Sequence, residues 1–270
     1  MNFWFGKMMG AAMGFMSGGP LGSFIGLVSG HILDKFFSDS ILGGQSSLNF
    51  ANKDAVQQVF FQATFRFMGR LAKADGRVSE AEIQAANQVM ERMSLASDKR
   101  QIAIQYFNQG KDPAYDLNQD LNQLRVVLRE HQELVQVFME IQLSVAYADG
   151  ELSNNEKSLF LQLCRSLDVS RFQFEWINSR VKASQGWGRY RQQASYGTAK
   201  NELSRAYQVL GVEASASSAE IKKAYRKLMS QHHPDKLIAQ GLPEEMMRIA
   251  KEKTQEIQTA YDLINKARKA

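Results

Sequence analysis

The chain has 270 residues, 33 Lys and Arg against 28 Asp and Glu, and one cysteine. That length suits about two modest domains with accessory segments. A lone Cys164 excludes an internal disulfide framework. The net charge of +5 is spread along predicted helices without a long basic run or a nucleic-acid motif, so DNA or RNA binding is a poor explanation.

Residues 1–7 form a short stub. From Met8 to Leu33 there is no Lys, Arg, Asp or Glu, a stretch longer than the roughly 20 residues that cross a bilayer as a helix. Gly6, Gly10, Gly14, Gly18, Gly22, Gly26 and Gly30 recur every four residues. Repeated G-x-x-x-G lets two helix backbones approach closely in lipid, so the span is expected to form a homodimer through Gly10, Gly14, Gly18, Gly22 and Gly26. Its period of four exceeds 3.6 and favours a right-handed crossing. Gly18-Gly19-Pro20 could instead break the span, a defect that a neighbouring helix can absorb. A cleaved signal peptide would need a shorter apolar core and a clear small-residue cleavage site.

Residues 34–55 read as a linker rich in Ser, Gly and Asn. Residues 56–181 look all-helical. Val56, Phe60, Ala63, Phe67 and Leu71 make one helical stripe, and Leu134, Val137, Phe138, Ile141 and Val145 make another. After each stripe comes a related sequence: Ala74-Asp75-Gly76, with Ser79 and Glu82, recurs as Ala148-Asp149-Gly150, with Ser153 and Glu156. The glycines can end one helix, and the Ser-x-x-Glu pairs can cap the next. Alternatively Asp75, Glu82, Asp149 and Glu156 could be oxygen ligands for a hard cation. Capping explains every residue and the spacing is not that of an EF-hand, so no metal site or cofactor is favoured. Residues 182–200, with Trp187, Tyr190 and Tyr196, read as a flexible tether.

Residues 201–270 carry the sharpest signal. Tyr207–Leu210 close a short amphipathic helix at Gly211. Ser217 and Glu220 then form a capping box, and Ile221, Tyr225 and Leu228 define one buried face. Lys222, Lys223, Arg226 and Lys227 populate the rest of that helix. Pro234 disfavours helix at His233, leaving His233 and Asp235 exposed on a loop. Pro243, Glu244 and Glu245 open a last helix whose core face is Ala250, Ile257, Tyr261 and Ile264. Catalysis by His233 and Asp235 would need a nucleophile, oxyanion loop or phosphate cradle nearby, and the sequence offers none. Adjacent His232 and His233 with a distant Cys164 match no zinc spacing.

This order of helix, basic helix, His233-Pro234-Asp235 and closing helix resembles the J domains of DnaJ-type co-chaperones. The run from Lys227 to Met247 resembles the DnaJ-like protein A (DjlA) family, membrane-anchored co-chaperones of Gram-negative bacteria. The paired Ala-Asp-Gly pattern is similar to the TerB-like helical fold, some members of which imply the cation site above. Thr254 departs from the J-domain pattern, which often has an aromatic there. The resemblance implies an all-α chain with an N-terminal transmembrane helix, a TerB-like domain and a J domain. It also implies docking on a DnaK-type chaperone, whose ATPase is stimulated through His233, Pro234, Asp235, Lys222, Lys223, Arg226 and Lys227. No catalytic residue is implied. In enterobacterial members this activity is linked to a phosphorelay controlling capsule synthesis. A membrane scaffold or metal-responsive sensor acting through the central domain is the alternative.

Flanking charges barely orient the span. A J domain needs an ATP-dependent partner, which places the expected N-terminus in the periplasm and the remaining domains in the cytoplasm, anchored at the bacterial inner membrane.

Overall fold

Aromatic residues on two central helices set the architecture. In the computed structural model, which describes residues 45–269 apart from 77, 79, 149 and 193–198, helix α1 spans Gln45–Ala72 and helix α5 spans Gln132–Ala146. The stripe Val56, Phe60, Ala63, Phe67 and Leu71 is buried, and so are Phe65 and Met68 on other faces of α1. Helix α5 buries Leu134, Val137, Phe138, Ile141 and Val145. Helix α5 buries nearly every face and so lies inside the fold. Phe60 and Phe67 meet Phe138 edge-on, at ring-centroid distances of 5.5 and 6.1 Å.

Around them pack α2 (Glu80–Arg92), α3 (Ser97–Lys111), α4 (Leu117–Leu128), α6 (Asn154–Ser166) and α7 (Arg171–Gln192). The crossing of α1 with α3 depends on absent side chains. A Cβ on Gly69 would lie 2.0 Å from the Phe107 carbonyl oxygen, and one on Gly110 would lie 1.9 Å from that of Arg66. Arg66 then spans the crossing, reaching Asp120 of α4 at 2.7 Å.

The sequence repeat is a repeated helix–turn–helix. Gly76 (φ +83°) ends the turn after α1 and Gly150 (φ +121°) the turn after α5, a backbone region that glycine enters without a Cβ penalty. In the second copy Ser153 and Glu156 form the expected capping box.

The C-terminal segment contains α8 (Ala199–Leu210), α9 (Ser218–Gln231), the short α10 (Pro234–Ala239), a 3-10 turn (Glu244–Met246) and α11 (Met247–Lys269). Ala206, Leu210, Ile221, Leu228, Ile257, Ala260 and Ile264 form its own core. Tyr225 stacks on Tyr261 at 4.1 Å and 16°. The Ser217–Glu220 capping box opens α9 as the spacing predicts.

Residues Val56–Ala270 form one compact unit, because the C-terminal segment shares a second core with the central helices. Leu237, Leu242, Met246 and Ala250 belong to the same buried cluster as Phe60, Phe138 and Ile141. Helix α11 therefore faces two cores in turn, and Thr254 falls between Ala250 in the shared one and Ile257 in the local one. Its hydroxyl donates to the Lys251 carbonyl at 2.8 Å, so an aromatic is not required there. Helix α7 continues through Gln192, across residues 182–192 that the composition marks as a tether. Ala183 is buried there, in the core of the C-terminal segment. Likewise α1 begins at Gln45, inside the segment 34–55.

The span 8–33 and its glycine track lie outside the described residues. Among the described residues, no helix is long and apolar enough to cross a membrane.

Candidate functional site

Helix α9 presents Lys222, Lys223, Arg226 and Lys227 to solvent while Ile221 and Leu228 anchor its opposite side. Four cations within six positions make one electropositive face. Lys227 also lies 5.8 Å from the ring centroid of Trp176 on α7, within cation–π range.

The helix stops at Gln231, and His233 has extended backbone angles (φ −63°, ψ 122°), as a residue before proline favours. Pro234 then occupies the first turn of α10, where its missing N–H costs nothing. His233 and Asp235 are both exposed. Asp235 thus sits in the first helical turn of α10, not in an open loop. A carboxylate there is favoured by the helix dipole.

His232 is the opposite of its neighbour. It is 2 % exposed, with Nε2 at 3.4 Å from Glu140 Oε1 and 3.2 Å from Gln136 Nε2. Glu140 is 9 % exposed and also accepts from Arg180 Nη1 at 3.2 Å. Arg180, 1 % exposed, in turn donates through Nε to the Val209 carbonyl at 2.9 Å. Burial by itself would raise the Glu140 carboxyl, but the charges of His232, Lys253 and Arg180 outweigh it and hold the group below its ordinary range. On the far side of the tripeptide, Lys236 Nζ donates to Glu133 Oε1 at 2.6 Å and Gln240 to Glu133 Oε2 at 3.1 Å. The Lys236 hydrogen bond is the main reason that the Glu133 carboxyl also lies low.

A cavity of about 530 Å³ opens beside this cluster. Its charged walls already pair with one another: Arg92 with Glu252 at 2.7 Å, and Lys253 with Glu256 at 2.9 Å. Such a lining offers a metal or cofactor no convergent set of free ligands.

Two of the four carboxylates considered for a cation, Glu156 and Asp75, have other work. Glu156 Oε2 accepts from the Ser153 backbone N–H at 2.8 Å and is buried. Asp75 accepts from Asn155 Nδ2 at 3.0 Å, bridging the two copies of the repeat. Asp149 and the Glu82 side chain lie outside the described residues. Among the described residues, no group of three or more metal-type side chains converges.

Glu140 and Arg180 were not singled out by sequence reasoning, and His232 was weighed only as a zinc ligand. One signal was available. Glu140 interrupts the apolar run from Leu134 to Val145, and a charge on a buried face requires a partner.

Three family matches tile the chain. Residues 1–55 match the co-chaperone DjlA transmembrane domain, 62–179 match tellurite resistance protein TerB, and 205–270 match the DnaJ domain. The chain is 44 % identical to the co-chaperone protein DjlA of Coxiella burnetii over 268 residues, 98 % of each chain. It is 43 % identical to that of Photorhabdus laumondii over 274 residues, again 98 % of each chain.

The chain belongs to the DjlA co-chaperone family.

The protein of that name in Haemophilus influenzae is 39 % identical over 283 residues, covering 97 % of this chain and 98 % of that relative. No solved structure matches. The exposed tripeptide and basic helix lie in the J domain, Glu133, Gln136 and Glu140 lie in the TerB domain, and the N-terminal segment is a membrane anchor.

Proposed function

We propose that this DjlA-family chain stimulates ATP hydrolysis by a DnaK-type chaperone through docking alone, with no chemistry of its own. The single observation that carries this is the exposure of His233 and Asp235 at the end of a helix whose four cations, Lys222, Lys223, Arg226 and Lys227, are also exposed. Packing requires none of these six side chains, and the four cations form a surface complementary to an acidic partner. His233, Pro234 and Asp235 reach the partner's regulatory junction while the cations steer and hold it. Glu140 and Arg180, which are buried, take no part in that contact.

The anchor is a homodimer joined through Gly10, Gly14, Gly18, Gly22 and Gly26, with the N-terminus periplasmic and the TerB and J domains cytoplasmic. Supporting this is the every-fourth spacing of those glycines, together with the partner's need for ATP. The output is an envelope or capsule phosphorelay, as the family resemblance implies for enterobacterial members.

An ATPase assay with the full chain in detergent micelles tests the docking. Wild type is expected to accelerate turnover by a DnaK-type chaperone, and His233→Gln to abolish the effect without lowering thermal stability. Equal stimulation by both would sink the mechanism. Strong activity from a C-terminal alkaline phosphatase fusion would overturn the orientation.

A further inference from the structure

We propose that the TerB domain braces the docking loop: Glu133, Gln136 and Glu140 on α5 are positioning residues that hold the chain on both sides of His233, Pro234 and Asp235. The inference rests on the docking function proposed above and assigns the TerB domain a part in it.

The three residues stand at i, i+3 and i+7, a spacing that lines them along one stripe of a helix. Each end of the stripe holds one end of the loop. Upstream, His232 is gripped by Gln136 at 3.2 Å and Glu140 at 3.4 Å. Downstream, Lys236 and Gln240 are gripped by Glu133 at 2.6 and 3.1 Å. Only the tripeptide itself lies between the two grips.

The support continues beneath. Glu140 is held from behind by Arg180 at 3.2 Å, and Arg180 is tied to α8 of the J domain through the Val209 carbonyl at 2.9 Å. Below α10, Leu237, Leu242 and Met246 are sunk into the TerB core. Gln57 of α1 donates to the Leu242 carbonyl at 3.3 Å. The anchors before, after and beneath the loop thus come from the central helices.

A brace and a mask would both produce contacts here, and exposure separates them. His233, Asp235, Lys222, Lys223, Arg226 and Lys227 are all exposed while His232 is buried. The TerB domain therefore grips the residues beside the docking groups and leaves the docking groups free. A loop already fixed in one geometry loses less conformational freedom when a partner engages it. Because the cations hold the partner and the tripeptide acts on its hydrolysis step, the benefit should appear in how effectively a bound partner is activated, more than in how tightly it is held.

The test is steady-state ATPase of a DnaK-type chaperone against rising concentrations of the full chain in detergent micelles. Glu133→Lys should lower maximal stimulation by up to about fivefold, the upper end for losing one partly exposed ion pair. The half-maximal concentration should move less than about twofold, because the docking cations are untouched. The swap Glu133→Lys with Lys236→Glu should restore most of the maximum. Lys223→Glu, on the docking face, should instead raise the half-maximal concentration. Circular dichroism melts check that each variant is folded, and Glu133→Gln, with the same direction of effect, serves if Glu133→Lys is not. An unchanged or increased maximum in Glu133→Lys, or no recovery in the swap, would overturn the brace while Lys223→Glu still upholds docking. No stimulation by wild type would remove docking and the brace together.

Discussion

The two sides of the J domain use charge in opposite ways. On the outer side, the four cations of α9 are exposed to solvent. On the inner side, His232, Lys236, Glu245 and Glu252 pair with Glu140, Glu133, Lys99 and Arg92 of the TerB domain. Outer charges cost little to keep because water solvates them, and they remain available to a partner. At the centre of the inner side His232, Glu140 and Arg180 have left water and depend on each other, while the pairs around them stay partly exposed. The same domain thus separates an adhesive face from a structural one, with the boundary running between His232 and His233.

Breaking the inner side at its driest point should have the largest effect. Glu140→Ala leaves Arg180, 1 % exposed, without its carboxylate. Loss of one partner from a buried pair costs about 3–5 kcal/mol, measurable by urea denaturation of the full chain in micelles. A cost below about 1 kcal/mol would mean that water replaces the carboxylate, and the contrast between the faces would weaken. The same carboxyl has an acid signature. Its folded pKa lies below the usual 4.5, so its contribution is fully present above that value and is lost as pH falls toward the folded one. Glu140→Gln should therefore flatten the loss of stability below about pH 4.5, relative to wild type.

Next in size is the apolar part of that side. Leu237 is fully buried just after the tripeptide, in the core shared with Phe60 and Phe138. Leu237→Ala should cost about 3 kcal/mol through lost transfer energy and a residual cavity. If α10 were held only by its own domain, it could settle into the space and the cost would fall toward about 1 kcal/mol. Urea titration distinguishes these values.

How much of this contrast could be read from the chain alone follows from which interactions are local. The caps at Ser153 and Ser217, the break at Pro234 and the stripe from Val56 to Leu71 depend on residues a few positions apart, and all were legible. So was the outer face, because exposure of Lys222, Lys223, Arg226 and Lys227 follows from the burial of Ile221 and Leu228. The inner face was not legible. Glu140 and His232 are far apart in sequence, and nothing near either names the other. The tether expected over 182–200 was misleading in its described part up to Gln192, for the same reason. Its Gly, Ser and Gln content argues against a helix locally, whereas Arg180 and Ala183 earn burial against α8 only in three dimensions.

A local interaction gives a smaller, calibrated effect. Ser217 Oγ accepts from the Glu220 backbone N–H at 3.2 Å, and Glu220 Oε2 accepts from the Ser217 N–H at 2.7 Å. Ser217→Ala should cost about 1 kcal/mol, the usual value of an N-cap. Because α9 carries the docking cations, the same variant reports whether fraying its first turn reaches Lys222 and Lys223. Chaperone stimulation should fall no more than stability does; a larger functional loss would extend the docking face to the cap itself.

The smallest change in stability belongs to the outer face, and it sharpens the comparison most. Lys223 and Arg226 are exposed on α9, and surface substitutions away from special features usually stay within about 0.5 kcal/mol. Reversing both to Glu should leave the urea midpoint almost unchanged. It should nevertheless weaken stimulation of a DnaK-type chaperone, because two attractive contacts become repulsive. The defect should be greater at low salt, where the Debye length is about 30 Å at 0.01 M, than at 0.15 M, where it is about 8 Å. Stimulation that is lost equally at both ionic strengths would point to a direct, desolvated contact instead of steering. A large fall in stability would show that the outer cations support the fold, and the division of the J domain into an adhesive and a structural side would fail.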